Sequence, residues 1–176
     1  MKMIRKATAS DIDSVAEIYK NIHAREKLGI THTGWLADVY PLKSTAEAAL
    51  ARDDLFVYEN NGRILASAVI NQLQVDVYAD CDWLFKADDS KVMVLHTLAV
   101  EPSAAQNGIG TEFVSFYEDY AVKNGCTVLR MDTNAKNEIA RKFYKKLGYR
   151  EADTVPCIFN GIPDVQLVLL EKSLKK

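Results

Sequence analysis

Two closely spaced glycines in the stretch Gln106-Asn107-Gly108-Ile109-Gly110-Thr111 could bind a phosphate group through the backbone. An apolar run ends at Val100, a polar loop follows, and apolar residues then recur at helical spacing. The first N–H groups of a helix have no partner within the helix, and the helix dipole adds positive potential there. Glycines at such a helix start favour phosphate or pyrophosphate binding, because a Cβ would hold the phosphate oxygens away.

Two other nucleotide-binding motifs do not fit this loop. A Walker loop needs a lysine after its last glycine, and no lysine follows Gly110. A dinucleotide fingerprint needs a third glycine where this sequence has Phe113. A Gly-x-Gly turn can also be only a tight connection between a strand and a helix, so the loop needs support from a second motif.

The second motif comes from a family resemblance. Ala105-Gln-Asn-Gly-Ile-Gly110 resembles the pyrophosphate loop of the GNAT superfamily of N-acetyltransferases, written Gln/Arg-x-x-Gly-x-Gly/Ala. The preceding Leu-Ala-Val resembles that family's fourth strand, and the stretch Asn-Glu-Ile-Ala-Arg-Lys-Phe-Tyr-Lys-Lys-Leu-Gly-Tyr at 137–149 resembles its helix-four motif. One position departs from the pattern. Ala105 stands where the family has Gln or Arg, so that side-chain contact is expected to be absent or moved to Gln106.

The resemblance implies that acetyl-CoA is the cosubstrate and that no metal is needed. In the family the fourth and fifth strands separate, and the pantetheine arm occupies the gap. Matching the motifs assigns cofactor contacts to Leu98, Ala99, Val100, Gln106, Asn107, Gly108, Ile109, Gly110, Thr111, Asn137 and Tyr144.

Acylation of an amine requires two proton transfers. An alkyl ammonium with a pKa of about 10 must lose a proton, and the leaving thiolate must gain one. By the motif match Tyr144 is the predicted proton donor to the thiolate. Its alternative role is packing, because it shares an apolar helical face with Phe143 and Leu147.

His96 is the predicted base or water relay. Residues 96, 98 and 100 alternate along one strand, so His96 is expected to point to the same side as the cofactor contacts. The alternative is a histidine that only fills a core position.

The resemblance places the acceptor pocket in residues 23–40 and 72–91. The second segment contains aspartates at 76, 80, 82, 88 and 89 and few basic residues, so an acidic, aromatic rim could orient an ammonium group. A solvated loop is the alternative. The predicted acceptor contacts are His32, Trp35, Tyr40 and Trp83.

The periodicity predicts a β-α-α-β-β-β-α-β-α-β-β order. Hairpins come first and strand–helix alternation follows, which indicates a mixed α/β fold. The resemblance implies a GNAT-like, mostly antiparallel twisted sheet of about seven strands with four helices on both faces. Predicted helices lie at about 10–27, 44–52, 108–125 and 134–148, and strands begin near 4, 55, 64, 92, 127, 149 and 165.

Composition fits one domain spanning residues 1–176. A net charge of −2 offers no basic field for nucleic acid, and no apolar run reaches membrane-spanning length. Three widely spaced cysteines indicate reduced thiols in a cytoplasmic protein.

The predicted function is acetyl-CoA-dependent N-acetylation of a small-molecule or peptide amine, in a possible homodimer. A non-catalytic acetyl-CoA sensor and an acyltransferase with another acyl-CoA donor remain alternatives.

Overall fold

The computed structural model describes residues 1–175 as seven strands and four helices in the predicted order, so the predicted mixed α/β fold is confirmed. The strands are β1 (Lys2–Lys6), β2 (Leu55–Asn60), β3 (Arg63–Asn71), β4 (Val92–Val100), β5 (Val128–Asn134), β6 (Arg150–Phe159) and β7 (Ile162–Ser173). The helices are α1 (Ile12–Lys27), α2 (Lys43–Ala51), α3 (Ile109–Lys123) and α4 (Glu138–Lys146).

All seven strands form one sheet in the order β1-β2-β3-β4-β5-β7-β6. Neighbouring strands are antiparallel except β4 and β5, which are parallel. This parallel pairing runs only from Val92 opposite Val128 to Leu95 opposite Met131. Beyond those residues both strands continue without pairing to each other, so the sheet contains a gap at its centre.

The helices cover both faces of the sheet because each has one apolar stripe to bury. Helices α1 and α2 pack on one face, here the α1 face, through residues that include Val15, Ile18, Ile22, Ala46 and Ala49. Helices α3 and α4 pack on the other, the α3 face, through residues that include Ile109, Phe113, Tyr117 and Tyr144. The gap between β4 and β5 therefore opens between two different helical layers.

The segment between β3 and β4 is anchored to the sheet. The guanidinium of Arg130 lies 4.1 Å from the ring centroid of Trp83. The fully buried carboxylate of Glu171 accepts backbone N–H groups of Leu84 and Phe85, both at 3.0 Å. This segment packs on the α1 face beside α1 and α2. There it forms a hydrophobic core with residues of β4, β5 and β7.

Helix α4 begins three residues later than predicted. Asn137 is its N-cap, and the side chain Oδ1 accepts the backbone N–H of Ala140 at 3.1 Å. Asn134, the first residue of the predicted helix and a possible cap by residue type, is instead the last residue of β5, and its Oδ1 accepts the N–H of Lys136 at 3.0 Å. Either asparagine satisfies the general preference for a short polar side chain before a helix, so sequence alone did not separate them.

Candidate active site

A run of unpaired backbone amides lies at the start of α3. Within residues 1–175, the N–H groups of residues 106–111 have no protein acceptor, and the first paired amide is Glu112 N–H to Gly108 O at 2.9 Å. Gln106 and Gly108 both have left-handed backbone conformations, with φ of 68° and 79°. Successive amides exposed in this way at a helix N-terminus form a concave site for an anion.

Glycine is favoured at positions 108 and 110 of this loop for different structural reasons. A Cβ on Gly108 would meet no protein atom within 4 Å, so only its positive φ and the space above it favour glycine. A Cβ on Gly110 would lie 3.2 Å from Cζ of Phe143, so this glycine allows α3 and α4 to approach closely. Gly108 therefore leaves open space beside the unpaired amides, whereas Gly110 serves the packing of α3 against α4.

A bulge in β4 lies where the strand enters the gap. Val69 of β3 is opposite His96, but Ser67 is opposite Ala99, so β4 has one extra residue. Thr97 sits in this bulge with a φ of 50°. Before the bulge His96 shares the α1 face with Val69, and after it Leu98 packs into the core of the α3 face. The prediction that His96 points to the same side as Leu98 and Val100 is wrong, because an inserted residue reverses the alternation.

His96 lines a cleft of about 300 Å³ on the α1 face. The cleft is formed by α2, β3, the bulge of β4 and the β6–β7 turn. Its lining residues are Tyr40, Thr45, Ala48, Arg52, Val69, Asn71, Leu73, Gln74, Val75, His96, Thr97 and Asn160.

A series of hydrogen-bonded side chains fixes the orientation of the His96 imidazole. Asn71 Nδ2 donates to the carboxylate of Asp54 at 2.8 Å, and Asn71 Oδ1 accepts the N–H of Leu73 at 2.9 Å. Since the amide orientation is settled by these two contacts, His96 Nε2, 2.9 Å from Asn71 Oδ1, carries the hydrogen. Nδ1 is then the proton acceptor of the neutral ring, and a backbone hydrogen bond of the imidazole with Leu73 favours the protonated form against burial. Burial lowers the pKa of His96 to about 4, against the opposing charge of Asp54.

Sequence reasoning missed Asp132, which lies on β5 just past its last pair with β4. Its carboxylate accepts the hydroxyl of Tyr78 at 2.5 Å. Burial raises the pKa of Asp132 to about 6, although the Tyr78 hydrogen bond favours the charged form. The carboxylate in turn contributes to the raised pKa values of Tyr40 and Tyr144, which places it within electrostatic reach of both. A carboxylate within a strand of the sheet, VLRMDTN at 128–134, was the available signal.

Tyr144 lies on the α3 face in the main core. Its ring centroid is 5.1 Å from that of Phe143 and 5.9 Å from that of Tyr149, so packing fixes its orientation. Within the described part of the chain its hydroxyl has no hydrogen-bond partner. Burial, helped by the charge of Asp132, raises the pKa of Tyr144, so the phenol keeps its proton at neutral pH.

The four predicted acceptor contacts separate in the structure. Tyr40 lines the cleft, and its hydroxyl is hydrogen-bonded to that of Thr97. Trp35 packs edge-on against Tyr40 at 6.2 Å, one layer behind the cleft. His32 is exposed and does not line the cleft. Trp83 is 6% exposed, lies under Arg130 and donates its Nε1–H to Tyr78 O at 2.9 Å, so it belongs to the core.

The described residues contain no group of three His, Cys, Asp or Glu side chains arranged for a metal ion. Over the same residues, none of the helices combines the length and apolar character needed to cross a bilayer.

Several proteins that this chain resembles carry acetyltransferase descriptions. A curated N-acetyltransferase of unassigned substrate from Methanocaldococcus jannaschii is 26% identical over 162 residues, which are 86% of this chain and 62% of that protein. The chain thus spans less than two thirds of that relative. A GNAT-family acetyltransferase from Streptococcus agalactiae superposes with a TM-score of 0.80 at 19% identity, covering 99% of this chain and 96% of the other.

A third protein carries a cofactor. A Salmonella typhimurium protein assigned as an acetyltransferase, solved with its cofactor acetyl-CoA, superposes with a TM-score of 0.68 at 16% identity, covering 99% of this chain and 95% of the other. The split sheet and the glycine loop define an acetyltransferase-type domain. The acetyltransferase (GNAT) family description matches residues 17–149, and the chain belongs to that family.

Proposed function

We propose that this protein transfers the acetyl group of acetyl-CoA to a primary amine of a small molecule or peptide by direct attack. One observation carries the proposal. β4 runs on past the end of its pairing with β5 and is followed in the chain by the unpaired amides of residues 106–111, an arrangement that suits a single ligand with an extended arm and a diphosphate. The Salmonella neighbour that holds acetyl-CoA supports this choice of ligand.

The cofactor would be held mainly by backbone groups. Residues 106–111 would bind the pyrophosphate, and the unpaired edge of β4 at Leu98, Ala99 and Val100 would bind the pantetheine arm. Asn137 already uses Oδ1 as a helix cap, which leaves its Nδ2 to donate to the cofactor. Because the amides do not depend on side-chain identity, Ala105 in place of Gln or Arg leaves this cradle intact.

The two proton transfers fall to opposite faces of the sheet. Deprotonating an alkyl ammonium at pH 7 costs about 4 to 5 kcal/mol, so the α1 face must supply a proton acceptor. His96 lines the cleft and can relay the proton through water, but a pKa of about 4 makes it a weak base. Asp132, with a pKa of about 6, is the better final acceptor. Tyr144, on the α3 face, donates the proton to the leaving thiolate.

The test combines binding and turnover. Calorimetry should detect acetyl-CoA and CoA binding to the folded protein, and thiol release should follow addition of amines from a broad panel. Binding without release for any amine would favour a non-catalytic sensor. Faster release from succinyl-CoA than from acetyl-CoA would favour another acyl donor. No binding of either coenzyme form to folded protein would refute the proposal.

A further inference from the structure

The cleft on the α1 face has an uneven charge. Among the residues that line it, Arg52 is the one permanent cation, and none is an aspartate or glutamate. The remaining lining groups are hydroxyls, amides, the neutral His96 and apolar side chains. The aspartates of the segment between β3 and β4, at 76, 80, 82, 88 and 89, do not line the cleft. The acidic rim expected from the sequence is therefore not the wall of this site.

Arg52 is held with one side of its guanidinium free. Nε and Nη2 donate to the two carboxylate oxygens of Asp54 at 2.9 and 3.2 Å, a bidentate geometry that fixes the plane of the group. Nη1 has no partner within residues 1–175. The side chain of Asp54 is 9% exposed and that of Arg52 is 46% exposed, so the pair presents the cation to the cleft and keeps the anion behind it.

A negative charge also acts on Tyr40, from Asp132 on β5 just past the last pair of β5 with β4. Asp132 raises the pKa of Tyr40 and Arg52 lowers it, while burial is the main cause of its value of about 12. Both charges therefore act on one phenol, which is bonded to Thr97 at the bulge where the gap begins. The site offers a cation at its outer wall and a carboxylate near the gap.

We propose that the acceptor is an amine that also carries a carboxylate, such as an amino acid or a close analogue. Its carboxylate would bind the free side of Arg52, and its amino group would lie toward Thr97 and Asp132. The inference rests on the proposed acetyl transfer and specifies its substrate. In the reaction the amine nitrogen forms a bond to the acetyl carbon and the thioester C–S bond breaks. The amine proton leaves through the α1 face, the thiolate gains one from Tyr144, and the products are an N-acetylamino acid and CoA.

The first test uses matched acceptors at saturating acetyl-CoA. Each amino acid in a panel is compared with its primary amide and with the amine formed by its decarboxylation. We expect kcat/KM to be higher for the free acid by about tenfold or more, a difference of about 1.4 kcal/mol in binding. Equal or better turnover of the uncharged analogues, or of polycationic amines, would overturn the inference.

The second test changes the charge of the cleft without removing a contact. Ala48 lines the cleft one helical turn before Arg52, and it is exposed. Ala48→Glu places a carboxylate beside the guanidinium, and Ala48→Gln adds nearly the same volume without charge. We expect Ala48→Glu to raise KM for amino acids about tenfold relative to their amides, whereas Ala48→Gln should change KM for the acids and the amides by the same factor. Arg52→Gln should weaken the same substrates, and Arg25→Gln on the exposed surface of α1 is its control.

The two proposals fail differently. Loss of acetyl-CoA binding by the parent protein would refute the acetyl-transfer proposal itself. Intact binding, with turnover of amines that ignores both the carboxylate and the Ala48→Glu change, would refute only the inference on the acceptor. As a readout free of turnover, N-acetylamino acids should bind the CoA-loaded protein in calorimetry and their methylamides should not; binding of neither would also overturn it.

Discussion

His96 and Leu98 are two residues apart in β4, yet they lie on opposite faces of the sheet. Thr97 between them occupies the extra position of a bulge, with a positive φ that is costly for a β-branched residue. The bulge directs the imidazole of His96 to the α1 face and the side chain of Leu98 to the α3 face. A strand without it would place both side chains on one side.

The side chain of Asn71 should control the protonation pattern of His96. In the parent protein we expect ¹⁵N NMR to show a neutral ring with the hydrogen on Nε2 at pH 7, because Asn71 Oδ1 only accepts. Asn71→Ala should give a mixture of tautomers and a lower kcat/KM with unchanged acetyl-CoA affinity. The exposed His32 should keep its signals and serves as the internal control. A parent ring with its hydrogen on Nδ1 would contradict this geometry.

The pH dependence of stability should separate His96 from Asp132. The lowered pKa of His96 means that the unfolded chain binds a proton first, so its contribution to stability is lost as pH falls from about 6.5 to about 4. The raised pKa of Asp132 acts oppositely, because the folded chain binds the proton first and stability increases as pH falls from about 6 to 3.8. Each effect is about 3 kcal/mol, so they nearly cancel in the parent.

Single substitutions should reveal how each group makes the free energy of unfolding depend on pH. Asp132→Asn should become less stable relative to the parent as pH falls through this range, and His96→Gln should become more stable. Urea unfolding at half-unit pH intervals measures both. Variants whose stability differences from the parent stay constant across this range would show that neither group titrates as described.

Tyr144→Phe should lower kcat while leaving acetyl-CoA affinity nearly unchanged. The phenol has no partner to lose within the described residues, and the ring contacts with Phe143 and Tyr149 remain, so the fold should be preserved. A lost proton donor typically costs 10²-fold or more in rate, on the order of 3 kcal/mol in the barrier. Tyr120→Phe on the same face is the matched control. Parent-like turnover would remove Tyr144 from the mechanism.

The two loop glycines should respond differently to substitution. Gly108→Val should destabilise by about 1 to 2 kcal/mol through its positive φ and should abolish acetyl-CoA binding, because the new side chain fills the space above the amides. Gly110→Ala should lower stability through the contact with Phe143 while retaining measurable binding. Thermal unfolding and calorimetry distinguish the two. Full binding by folded Gly108→Val would count against the loop as the diphosphate site.

Trp83→Phe should affect stability and not substrate affinity. The ring position under Arg130 is kept, but the Nε1–H bond to Tyr78 is lost, which should cost about 1 kcal/mol. Parent-like KM values with a lower urea midpoint are the expected outcome. A selective increase of KM for the amine would instead place Trp83 in the acceptor site.

Sequence periodicity was sufficient for the architecture because the stripes of α1 and α3 and the strand run 92–100 are long and regular. Periodicity was insufficient for the site, where a single inserted residue decides which face of the sheet a side chain points to. A one-residue bulge at Thr97 has no compositional signature, so alternation gave His96 the wrong face. Periodicity did not reveal Asp132 or the burial of Trp83, because both depend on contacts between segments distant in the chain: Asp132 with Tyr78, and Trp83 with Arg130.

The hydroxyl of Tyr117 lies 2.7 Å from the carbonyl of Met93 and 3.1 Å from that of Arg130, and thus joins β4 to β5 where they are still paired. Because Tyr117 is fully buried, these two contacts hold β4 and β5 together at this point and limit how far the strands separate. For the cosubstrate proposed above, the gap would already be open before binding, so no binding free energy would be spent on separating the strands. We therefore expect association with little backbone rearrangement.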